Sequence, residues 1–67
     1  MVCDDRSIFP YRMKIVRENG IRTIEVSDHN SLEYCERIFR ATELDKCLVG
    51  IAIYYKDDSL IMGKGDY

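Results

Sequence analysis

From Tyr11 onward, apolar and polar residues alternate in two runs, YRMKIVRE and IRTIEV, joined by Asn19-Gly20. Alternation with a period of two is the pattern of a half-buried β-strand. Asn-Gly between two such runs is the strongest short-range hairpin signal, because a type I′ turn needs positive φ at both central residues. A two-residue loop sets the register: Lys14 faces Glu25, Ile15 faces Ile24 and Met13 faces Val26. That pairing predicts one ribbon face of Tyr11, Met13, Ile15, Ile24 and Val26. The other face then holds Arg12, Lys14, Val16, Thr23, Glu25 and Ser27.

After the hairpin the period changes. Asn30-Ser31-Leu32-Glu33 has the form of an N-cap followed by a reciprocating acid, so a helix is expected to start near Ser31. At about 100° per residue, Leu32, Cys35, Ile38, Phe39 and Thr42 fall on one side. Glu33, Glu36, Arg37, Arg40 and Glu43 fall on the other, where Glu33–Arg37 and Glu36–Arg40 are favourable acid-first pairs on a solvated face.

The next segment, CLVGIAIYY over Cys47 to Tyr55, is too short for a typical helix and rich in β-branched and aromatic residues. It reads as a strand apolar on both faces. Val49, Ile51 and Ile53 point under the helix; Leu48, Gly50, Ala52 and Tyr54 point away. Lys56-Asp57-Asp58-Ser59 is turn chemistry, and Leu60-Ile61-Met62 makes a short return strand. Residues 63–67 are expected as a flexible tail and 1–9 as an irregular N-terminal segment, within a single domain over 1–67.

The expected fold is therefore α+β: a single four-stranded, mostly antiparallel sheet, in chain order β-β-α-β-β, with one helix on one face. A right-handed crossover through the helix places the third strand antiparallel to the first and beside it. The sheet order is then 2-1-3-4, with the most apolar strand inside. A domain of 67 residues has a thin core, burying only about 60% of its unfolded surface. One helix dries one face. The far face is expected to hold Arg12, Lys14, Val16, Thr23 and Glu25 with Leu48, Gly50, Ala52 and Tyr54. Three readings of that mixed face stay open: ordinary exposed surface, a protein-binding face, or a homodimer face.

Charge narrows the partners. Ten basic and twelve acidic residues give a net charge of −2, without the basic excess of a domain built for phosphate backbones. Nucleic acid is disfavoured, although Arg12, Lys14, Arg17 and Arg22 gather on the first hairpin and Tyr11 can stack a base. No apolar run approaches the roughly 20 residues needed to span a bilayer. MVCDDRSIF has acids where a secretory leader is basic and then apolar. A cytoplasmic location is expected, without membrane contact. Cys3, Cys35 and Cys47 form no CxxC pair; Cys35 and Cys47 read as small buried apolar residues, Cys3 as an exposed thiol.

Candidate chemistry is sparse. His29 stands beside Asp28, but no motif ties a cysteine to it. Asp4-Asp5 and Asp57-Asp58 lack the alternating oxygen spacing of a cation loop. Gly63-Lys64-Gly65 lacks the glycine spacing and following helix of a phosphate loop, and no zinc spacing is present. The expectation is a non-enzymatic protein with no cofactor and no metal.

The layout of IVRENGIRTIEV, SLEYCERIFRATEL and LVGIAIYYKDDSLIM resembles that of small phage-encoded inhibitors, the anti-CRISPR and host-takeover proteins. Many of these are single sheets carrying one helix, cytosolic and slightly acidic. The resemblance is architectural and brings no functional residue with it. It implies a protein that docks on a host defence or transcription complex, in the cytoplasm of the host cell. From the residues themselves, the parts available for protein binding are Tyr54, Leu48, Tyr11, Arg12 and Lys14. Asp57 and Asp58 offer phosphate-like charge to a basic partner, and the edge of the second strand can accept a partner strand. The alternatives are a self-associating, antitoxin-like module and a weak nucleic-acid-binding domain.

Overall fold

The computed structural model describes residues 9–67; Cys3, Asp4-Asp5 and the segment before Phe9 lie outside the described residues. In chain order the elements are β1 (Tyr11–Asn19), β2 (Ile21–His29), α1 (Leu32–Thr42), β3 (Leu48–Tyr55) and β4 (Leu60–Gly65). The four strands form one sheet in the order β2-β1-β3-β4, with every neighbouring pair antiparallel. The α+β class holds, and β3 lies against β1 where the crossover requires it.

The core is the seam between α1 and the two inner strands. Met13 and Ile15 of β1, Cys35 and Phe39 of α1, and Ile51 and Ile53 of β3 are buried there, with Tyr11, Leu32, Ile38, Leu48 and Met62 packed around them. The helical stripe read from the sequence is the stripe that faces the sheet. Ser31 is the N-cap, its Oγ accepting from the Tyr34 amide at 3.3 Å. Asn30 therefore lies outside the cap and Glu33 closes no box; it pairs instead with Arg37 at 3.6 Å on the exposed side. Burial raises the Cys35 thiol pKa, which keeps it protonated and inert. Cys47 is half-buried rather than buried.

Three features depart from the expected pattern, and together they remake the far face. The first is the hairpin register. Lys14 faces Val26, Ile15 faces Glu25 and Val16 faces Ile24, one residue away from the two-residue-loop pairing. Gly20 has φ +83 but Asn19 is not in the left-handed region, so the turn is not type I′. A one-residue shift moves every side chain of β2 to the opposite face. Ile24 and Val26 consequently share the far face with Arg12, Lys14 and Val16, while Thr23, Glu25 and Ser27 lie on the helix side.

The second is a bulge between β1 and β3. Val16 faces Gly50 but Arg17 faces Leu48, which leaves Val49 as the extra residue. The bulge turns Leu48 over, so it packs against the helix-side core and not on the far face.

The third is the segment expected as a tail. β4 continues past Met62 to Gly65, whose φ of +77 turns the chain across β3. The Asp66 amide then donates to the Val49 carbonyl at 2.9 Å. Asp66 backbone lies directly on Gly50, close enough that a Cβ there would sit 2.1 Å from the Asp66 carbonyl oxygen; the Tyr67 ring lies on Gly63. On the same face Val16, beside Gly50, and Ala52, beside Gly63, are fully buried although they point away from the helix.

Candidate functional site

The strand registers arrange the far face in rows running from β2 to β4. One row is Ile24, Val16, Gly50 and Gly65; the next is Val26, Lys14, Ala52 and Gly63; the third is Asp28, Arg12, Tyr54 and Leu60. Asp66 roofs the first row at Gly50. The other two frame an open groove of about 310 Å³ lined by Arg12, Lys14, Val26, Tyr54 and Asp58.

Charge in the groove is distributed unevenly. Arg12 is held between acids, with Nε 3.4 Å from Asp28 Oδ1 and Nη1 3.6 Å from Asp58 Oδ1. Lys14 makes no ion pair among the described residues and stands beside the exposed Val26. Asp58 reaches Arg12 because its backbone adopts φ +67, a conformation Asp tolerates better than most side chains. Such a groove suits an acidic group carried next to an apolar one: the acid toward Lys14, the apolar part on Val26 and Tyr54.

The structure thus brings together four of the residues singled out from the sequence: Tyr54, Arg12, Lys14 and Asp58. It separates the others. Leu48 and Tyr11 pack against the helix-side core, the Tyr11 ring centroid 5.7 Å from that of Tyr55. The Asp57 carboxylate accepts from the hydroxyl of Ser59 and from its amide, at 3.0 Å for the latter, and these bonds hold its pKa below the usual carboxylate range. Asp57 holds the β3–β4 turn. Val26 is the groove residue that sequence reasoning missed, because the hairpin register decides its face. Glycines at 50, 63 and 65 inside strands were the available signal of a close backbone approach on that side.

At the opposite end of the sheet, Asp45 ties the α1–β3 connection to the hairpin. Its carboxylate accepts from the Cys47 amide at 2.9 Å and from Arg17 Nε at 2.8 Å, while Arg17 Nη1 reaches Glu25 at 3.1 Å. The Cys47 amide first, and then Arg17, hold the Asp45 carboxyl below its ordinary pKa; the Asp45 hydrogen bond raises that of Arg17. The folded state therefore binds this proton less readily than the unfolded chain does. The contribution is fully present above the unfolded carboxylate value of about 3.9 and is lost as pH falls through the lower folded value. Urea titrations of the wild type should show a stability loss across that acid range that is flatter in Asp45→Asn; parallel curves would remove Asp45 from the linkage.

Ser27 Oγ lies 2.8 Å from His29 Nε2, and the imidazole packs against Tyr34 with centroids 5.2 Å apart. In the Ser–His–Asp arrangement an acid orients the imidazole. Asp28, the adjacent acid, is turned to Arg12 on the other face. Among the described residues no group of three or more His, Cys, Asp or Glu side chains could hold a metal ion. No helix among them is long and apolar enough to cross a membrane.

No protein-family model matches this chain, and no curated protein or solved structure matches it.

Proposed function

We propose that the protein is a non-enzymatic protein-binding module that docks through the groove on the far face of its sheet, and that it acts as a small inhibitor of a host protein complex. The observation that carries the binding reading is the contrast within one face. The chain covers Gly50 with the Asp66 backbone and Gly63 with the Tyr67 ring, and Val16 and Ala52 beside them are buried, yet it leaves Val26 56% exposed beside Lys14, Arg12 and Tyr54. An aromatic ring, an arginine and an apolar wall around an open depression is the composition that anchors protein interfaces. The inhibitory role rests on the layout alone: among the described residues one sheet and one helix, in a slightly acidic chain.

The test is capture of the tagged protein's partner from cytosol of the producing cell, at low and high salt. Wild type is compared with Val26→Ser combined with Tyr54→Ser, after melting shows the variant folded. A stoichiometric partner that survives high salt with wild type and falls at least tenfold with the variant is the expected result. A partner held equally by both removes this face. Addition of the purified protein to the captured complex then reads inhibition directly.

A further inference from the structure

We infer that β2 pairs antiparallel with β2 of a second copy of this chain, joining two four-stranded sheets into one continuous sheet. The inference stands on the edge strand; Val26 serves in both places, walling the docking groove and meeting Ile24 of the second copy. β2 is an edge strand of nine residues, IRTIEVSDH, with no proline, glycine or lysine and no bulge against β1. Those are the devices by which proteins keep a sheet edge from pairing. It also exposes large apolar side chains, Ile21 at 77%, Ile24 at 59% and Val26 at 56%. The opposite edge is guarded: β4 is short, is bulged against β3, and carries Gly63, Lys64 and Gly65.

Symmetry then restricts the register. A two-fold axis normal to a continuous sheet keeps each face on its own side, so one residue of β2 must oppose its own copy. Centred on Glu25, the pairing sets Ile24 against Val26 of the second copy, Thr23 against Ser27, and Arg22 against Asp28. All four apolar side chains meet on the far face, flanked there by two Arg–Asp pairs. Centring on Ile24 would set Arg22 against Val26, and centring on Val26 would set Ile24 against Asp28; both discard the charge match. Glu25 meets its copy on the helix side, where Arg17 of each chain reaches the carboxylate at 3.1 Å. Because Asp45 shares that Arg17 at 2.8 Å, the centre sets two arginines against four carboxylates, and the pairing relies on the apolar cluster and the flanking Arg–Asp pairs to outweigh it. Among the described residues Arg22 and Asp28 pair within one chain with surface groups, Asp66 at 3.8 Å and Arg12 at 3.4 Å, which compete weakly. The two grooves come to lie on the same side of the joined sheet.

Sedimentation equilibrium of wild type across rising concentration should show mass approaching twice the monomer. Arg22→Asp and Asp28→Arg each place like charges in both flanking pairs, and each alone should weaken the dimer at least tenfold. An equimolar mixture of the two variants restores both Arg–Asp pairs and should dimerise again. Ile24→Lys, a second exposed position, should also yield a folded monomer, verified by its melting curve. Wild type that stays monomeric up to about 1 mM overturns the pairing. So do variants that dimerise as wild type does, and so does a mixture that stays monomeric.

Discussion

Gly50→Val should lower the melting temperature by roughly 10 to 20 °C, although valine is the residue a central strand prefers. Secondary-structure preference alone forecasts the opposite sign, since glycine inside a strand is unfavourable by up to about 1 kcal/mol. The contact decides it. A Cβ at position 50 would lie 2.1 Å from the carbonyl oxygen of Asp66 and 2.3 Å from its carbonyl carbon, and backbone cannot swing aside as a flexible side chain does. Either the sheet distorts or the segment lifts away. Lifting breaks the Asp66–Val49 hydrogen bond and brings water to Val16 and Ala52, both now fully buried. Overpacking of this kind costs about 1–3 kcal/mol, and each kcal/mol moves a domain of this size by about 4–8 °C. Removing Asp66 and Tyr67 from both chains completes a double-mutant cycle. With the segment gone, Gly50→Val should be close to neutral. An equal loss in both backgrounds would locate the clash elsewhere.

Phe39→Ala should be the most damaging single truncation of the helix. Phe39 is 4% exposed and, with Cys35 and Thr42, forms the buried line by which α1 rests on the sheet. Loss of a buried phenylalanine costs about 3–5 kcal/mol, because the transfer energy and the remaining cavity add. At about 0.05–0.15 kcal/mol per residue, a chain of 67 residues holds roughly 3–10 kcal/mol in total, so about a third of its margin or more goes. Urea unfolding should show the midpoint falling by about a third or more. Tyr34→Ala, at a half-exposed position of the same helix, serves as the control and should stay within about 1 kcal/mol. A Phe39→Ala loss as small as the control's would mean that α1 does not hold the sheet together.

The residue pattern alone was enough to place the helix, the first three strands and the part of the core that α1 makes with β1 and β3. Leu32, Cys35, Ile38, Phe39 and Thr42 recur at the helical period, and only one side of that helix can be buried. CLVGIAIYY is apolar on both faces, which suits an inner strand and places it beside β1. These readings are local: each depends on the spacing of side chains within one element. The chain spells out much of the groove in the same way, since Arg12 and Lys14 alternate with Met13 and Ile15, and Tyr54 follows Ile53.

Tertiary structure decided which of β2's faces looks where, and the reason is the reach of the helix. None of β2's residues is buried; α1 covers β1 and β3 and leaves the edge strand largely outside its shelter. Apolar side chains on the helix side of β2 would therefore bury little, and the hydrophobic argument that pins a register in an inner strand has no force there. The Val49 bulge, which reverses Leu48, depends on how β3 fits against β1 and leaves no mark in the spacing of β3 itself. The covering of Gly50 by Asp66 joins residues brought together only by the β3–β4 pairing. A sequence determines periodicity residue by residue, but what lies over each face is fixed only when distant segments meet.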